Sequence, residues 1–386
     1  MNNTIDNRRT PGIAHQFLTA AALLALLFML AACSSAPPKK EDLVFWPPPP
    51  DEPRIQFLKS ISGSKDIEPP QSSMELILSG GGEENVQPIL RPYGLRYING
   101  KLYICDTQGS STVLIVDFVK KTFTPLKSNP GIGTLKKPIN LALDRDGYLY
   151  VADTIRREVL VYDASGTYAG SIGKEQDMKP VDVAVDDQNI YVLDLKGNDI
   201  KVFERKGRRF DRSIGKEGDK ALSMPTNMTS DGKGRLYVTN VGDGSVKILD
   251  KDGHFLSEFG RIGDRFGEFT RPKGIAVDDK QRIWVVDGGT QNVQLFIDDG
   301  TKQLMFFGDP PLLSGALNLP AGIALTTENL DYFQQFAAPD FVLEQVIFVS
   351  NQMGDAKISI YGLGHKRGPG DPPAPEPKKD NPEKSR

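Results

Sequence analysis

The chain has 386 residues, 25% of them charged and 39% hydrophobic, with a formal net charge of -3 at pH 7. So balanced a charge excludes a general attraction to nucleic acid or to membrane surfaces. Its two cysteines, Cys33 and Cys105, cannot make a disulfide framework, and no Cys/His cluster has the spacing of a metal site.

Residues 1–32 read as an export signal, with Arg8 and Arg9 ahead of an apolar run over 17–30. That run falls short of the roughly 20 residues a spanning helix needs. It ends in Leu30-Ala31-Ala32-Cys33, which resembles the lipobox of bacterial lipoproteins. The resemblance implies that Cys33 is diacylated and becomes the N-terminus. Ser34 after it resembles the pattern that sends such proteins to the outer membrane, so the expected address is the cell envelope. Residues 33–53 then form a Pro-rich tether. The prolines at 47–50 favour extended geometry, and the tether could hold the body on the order of 50 Å from the membrane. Phe45 and Trp46 are the apolar exception in it, placed to plug a rim or touch lipid.

Beyond a strand-like stretch at 54–61, six copies of one unit begin at Pro92, Pro138, Pro180, Pro225, Pro272 and Pro320. The clearest spans 137–173. Its first strand is expected from Asn140, its second over LYVAD to Asp153, its third over EVLVY and its fourth over YAGSI, with Asp-Gly and Ser-Gly at the turns. The second strand is apolar on both parities and must be covered on both faces. A lone four-stranded sheet cannot do that, so the copies cover one another. A period of roughly 45 residues is that of a propeller blade. The sixth copy stops after its third strand, KISIY, and the stretch at 54–61 supplies a fourth. The expected fold is therefore all-β: a six-bladed propeller over 54–363, closed by an N-terminal strand completing the last blade. Residues 62–90 are expected to cross loosely to the first copy. A stretch at 326–344 is inserted into the sixth copy, as a contact surface or folded back on the ring. Residues 364–386 lack apolar periodicity and read as a disordered tail.

The pattern P-x-G-[IL]-A-[VL]-[DT] followed by [LI]-[YW]-V-x-D, seen best at 271–296 and 137–162, resembles the NHL repeat, which builds six-bladed β-propellers. The resemblance spans most of the chain after the tether and implies that Asp106, Asp153, Asp194 and Asp287 brace the following turns. Asn240 and Asn351 replace the aspartate in two copies.

Enzymes on such propellers mostly rely on histidine in the central channel. Of the three histidines here, His15 lies in the export signal, His254 in an outer turn and His365 in the tail, so no general base is expected on an inner strand. Lactonase-like propellers hold calcium near the start of the inner strands, where this chain has Gly94, Asn140, Asp182, Asn227, Gly274 and Gly322. Asn140, Asp182 and Asn227 could form part of a calcium shell or bind another ligand at the channel mouth; equally, the position needs residues that tolerate tight geometry. Cys105 reads as a buried core thiol. Lys174, Lys216, Lys220, Arg261, Arg265 and Arg271 on the blade-to-blade loops are interleaved with Glu175, Asp177, Glu217, Asp219, Asp264 and Glu268, which argues against RNA. The expected function is that of a lipid-anchored scaffold, not an enzyme, binding envelope protein partners without a cofactor. The alternative is a calcium-dependent hydrolase of the lactonase type.

Overall fold

The computed structural model describes residues 43–70, 86–109, 111–127, 129–216, 218–309 and 314–371. Six antiparallel sheets follow one another along the chain, each with its first strand innermost. Blade 2 is representative, with strands Pro138–Leu143, Leu149–Asp153, Glu158–Tyr162 and Tyr168–Ile172. The inner strands of the other blades are Pro92–Ile98, Pro180–Val185, Pro225–Ser230, Pro272–Val277 and Pro320–Thr326.

The apolar core is divided among the six seams between blades. Alternation along a strand sends successive side chains to opposite seams. Leu149 and Val151 pack with Cys105 and Val113 of blade 1, while Tyr150 packs with Val183, Val192 and Phe203 of blade 3. This is why the second strands are apolar on both parities. Each fully buried Leu, Val or Phe contributes about 1.5–3 kcal/mol.

Blade 6 closes the ring as the missing fourth strand predicts. From the channel outward it contains Pro320–Thr326, Phe341–Asn351, Ile358–Lys366, Ile55–Ile61 and Phe45–Trp46. Ile55 pairs with Leu363 and Ile61 with Ile358, and both isoleucines are fully buried.

Three expectations are corrected at the edges, and one left between two readings is decided. The propeller does not start at 54: Phe45 pairs with Gln56, Trp46 is buried, and its indole N–H donates to the Asp309 carbonyl at 2.9 Å. The described part of the expected tether is thus a fifth strand and its turn, since the two aromatic rings gain apolar cover there; residues 1–42, with the export signal and Cys33, lie outside the described residues. At the other end the last strand continues past 363 to Lys366, and His365 sits in it and not in a tail. The crossing at 62–90 is anchored at both ends by buried Ile67 and Ile89 and a bridge from Gly63 to Pro88, with 71–85 outside the described residues. Finally, the insertion folds back on the ring. Its short helix, Leu330–Gln334, buries Phe333 among Tyr97, Phe118 and Phe348, and the second strand begins at Phe341.

Candidate functional site

The central channel is lined by the six inner strands, and its depth is set by a shared irregularity. Each inner strand pairs its proline with the last residue of the second strand, slips register, and resumes. Asn140, Asp182 and Asn227 sit where three strands resume; in the other three the slip covers Gly94, Gly274 and Gly322.

The two residue types serve seams of different width. A side-chain carbon at Gly274 would lie 2.6 Å from the Ala321 carbonyl oxygen, and one at Gly94 2.7 Å from the Asn140 Cα. Backbone touches backbone there, and only glycine fits. At the wider seams the polar side chains reach across. Asn140 Nδ2 donates to the Val181 carbonyl of blade 3 at 2.7 Å. Asp182 Oδ2 accepts from the Met228 N–H of blade 4 at 2.9 Å, and its Oδ1 from the Val183 N–H at 2.8 Å. All three are buried, and only Asn227 keeps a buried oxygen, Oδ1, without a partner. Burial pushes the Asp182 carboxyl up to about 6, against the opposing pull of Arg96 and of its main-chain donors.

The structure thus brings the three predicted residues to the channel wall and spends most of their polar atoms on blade-to-blade contacts. One free amide oxygen falls short of the six to eight ligands calcium takes. Among the described residues no group of three or more His, Cys, Asp or Glu is arranged to hold a metal ion. Cys105 is fully buried, and desolvation pushes its thiol well above the ordinary range, so it is not a nucleophile. His254 lies on the surface against Asp250, and His365 bonds Glu344 and Asp371 away from the channel.

The turn-bracing residues behave uniformly. Asp153 accepts main-chain N–H groups from Lys136 and Lys137 before its blade and from Ile155 and Arg156 after it. Asp106, Asp194 and Asp287 do the same, and Asn240 and Asn351 accept through Oδ1 from Ser223 and Asn318.

Above the polar layer the channel opens into a cavity of about 260 Å³. One register level of it is formed by Arg96, Ala142, Ala184, Thr229, Ala276 and Ala324, each paired with the aromatic residue of its neighbouring second strand. Arg96 is the outlier, and sequence reasoning passed over it; superposing the six copies would have exposed one cation in a ring of small residues.

On the outer side a second cavity, about 710 Å³ and mostly apolar, lies between Trp46 with Pro47 and Pro48 and the last strand of blade 5, Lys302–Phe307. Phe266, Leu304 and Phe306 line it while 63%, 43% and 40% exposed, and the two phenyl rings meet edge-on. Among the described residues three of the six blade-to-blade cations are paired, Lys216 with Asp199, Lys220 with Glu258 and Arg261 with Glu268; Glu217 lies outside the described residues.

No family model matches the chain. Over 155 residues it is 32% identical to human E3 ubiquitin-protein ligase NHLRC1, and over 151 residues 29% identical to the Drosophila melanogaster protein brain tumor. Each match covers 38% of this chain, and they span 38% and 14% of those two proteins. In fold the chain is similar to a gluconolactonase from Xanthomonas campestris (TM-score 0.52, 16% identity), with 86% of this chain and 100% of that one covered. The sequence matches and the six blades together support an NHL-type β-propeller.

Proposed function

We propose that this propeller is a protein-binding scaffold, exported and held at the cell envelope by a lipid on Cys33. The observation that carries the binding role is the apolar cleft beside Trp46. A soluble protein that leaves Phe266, Leu304 and Phe306 half-exposed around one concavity pays in solubility for a surface it uses. Asp51, Arg54, Arg282 and Asp309 line the same cleft. Apolar walls with charges of both signs suit a peptide segment, whose side chains fill the concavity while its polar backbone meets the charges. The occupant is thus an apolar segment of a partner protein. Antiparallel pairing and six packed seams make the ring a rigid support for it.

The test is cross-linked capture from envelope extracts with the lipidated protein and with a Phe266→Ser/Phe306→Ser variant of equal melting temperature. A protein retained by the first and lost by the second supports the scaffold. An identical set retained by both would overturn the cleft's role. Replacing Cys33 by Ser should move the protein from the membrane fraction to the soluble one.

Likeness in fold to a gluconolactonase, with Asn140, Asp182 and Asn227 around one channel, supports a calcium-dependent hydrolase as the second reading. It requires the seam contacts of Asp182 to give way to metal. One equivalent of calcium surviving desalting, and lost on Asp182→Ala, would favour it.

A further inference from the structure

We propose that the channel cavity is a binding site for a small organic carboxylate, held by Arg96. Five of the six blades place Ala or Thr at this level, opposite the aromatic residue of the second strand; blade 1 places Arg96 opposite Tyr103. The substitution costs something. A guanidinium carries five N–H donors, and Arg96 makes no hydrogen bond or ion pair with any described residue. Asp182, the buried carboxylate that feels its charge, has each oxygen engaged by a main-chain N–H. A half-buried cation whose donors are all unspent is unfavourable alone and becomes favourable once an oxyanion enters.

The cavity says which oxyanion. Its outer level carries the apolar side chains of Ile98, Leu143, Val185, Val277 and Leu325 beside Ser230. At about 260 Å³ it has room for a compact acid of benzoate or hexanoate size and not for a polymer. A carboxylate matches the planar fork of the guanidinium with two parallel bonds, while the apolar body is covered by the rim. Free phosphate would find the cation but leave the rim wet. This site is separate from the outer cleft, so the two succeed or fail independently.

The experiment is calorimetric titration of the whole folded protein with benzoate, hexanoate and inorganic phosphate at fixed ionic strength. Saturable binding of a carboxylate at one per chain is expected, weakened at least tenfold by Arg96→Met and less by Arg96→Lys. Arg209→Ala, in an exposed outer turn, is expected to leave it unchanged. Melting curves check that the variants fold; should Arg96→Met fail, methyl NMR of Ala142, Ala184 and Ala276 in the unaltered protein still reports whether the acid enters the channel. No saturable carboxylate binding, or equal affinity in Arg96→Met, would overturn the site. Phosphate binding as tightly as benzoate would overturn the part of the proposal that rests on the apolar rim.

Discussion

Asp182 is the one buried carboxylate of the channel wall, and its environment sets a testable number. Desolvation outweighs Arg96 and two main-chain donors and holds the carboxyl at about 6, against 3.8 for an ordinary aspartate. Between those values the folded chain binds more protons than the unfolded one. Its contribution to stability therefore falls as pH rises through that window, by at most ~3 kcal/mol. Carbon NMR of the side-chain carboxyl should show a midpoint near 6; a midpoint near 4 would mean that the seam is wet. That Asn140, Asp182 and Asn227 would share one level of the channel was legible from their distance to each proline. What they do there was not. Whether an amide reaches a ligand or the next blade depends on how the blades meet there, and in these three the pairing resumes one residue earlier than in the glycine blades. Arg96 escaped notice because its meaning lies in contrast with Ala142, Ala184, Thr229, Ala276 and Ala324, which only their common register makes visible.

The elements of blade 6 show where period-two reading ends. Strands with alternating apolar faces were legible, down to the fourth strand borrowed from 54–61. The two-residue strand Phe45–Trp46 was not, because two residues show no period and the Asp309 carbonyl that holds the indole is distant in sequence. The end of the last strand has a similar cause: Gly364 donates to the Arg54 carbonyl, a contact made by closure, and His365 is fixed by Glu344 and Asp371. The insertion was legible as apolar, but not which of its two readings, contact surface or folded back on the ring, would hold. Phe333 is fully buried at the seam of blades 6 and 1, and Ala338 N–H donates to the side-chain Oε1 of buried Gln56 in the closing strand. Phe333→Ala should accordingly cost about 3–5 kcal/mol, the range for emptying a packed aromatic site. Chemical denaturation measures it directly. A loss under about 1 kcal/mol would make the insertion an ornament of the rim.

For the whole molecule the decisive contact is the pairing of Ile55–Ile61 with the strand Ile358–Lys366, because among the described strand pairs it alone hydrogen-bonds the N-terminal segment into the last blade. Each seam is a separate apolar cluster shared by two blades, so five seams could form in an open arc, whereas the sixth needs both ends present. A chain beginning at residue 62 would lose buried Ile55, Leu58 and Ile61 and expose the free edge of a long strand. At about 1.5–3 kcal/mol each, those three side chains rival the roughly 5–15 kcal/mol that a folded domain commands in total. The shortened chain should therefore melt far below the chain beginning at 43 and associate through its open edge. Adding a peptide of residues 43–61 should restore both the melting temperature and the monomer, since pairing in trans rebuilds the same ladder. If the shortened chain melts with the longer one and stays monomeric, the ring is held by its five other seams, and the N-terminal strand merely decorates it.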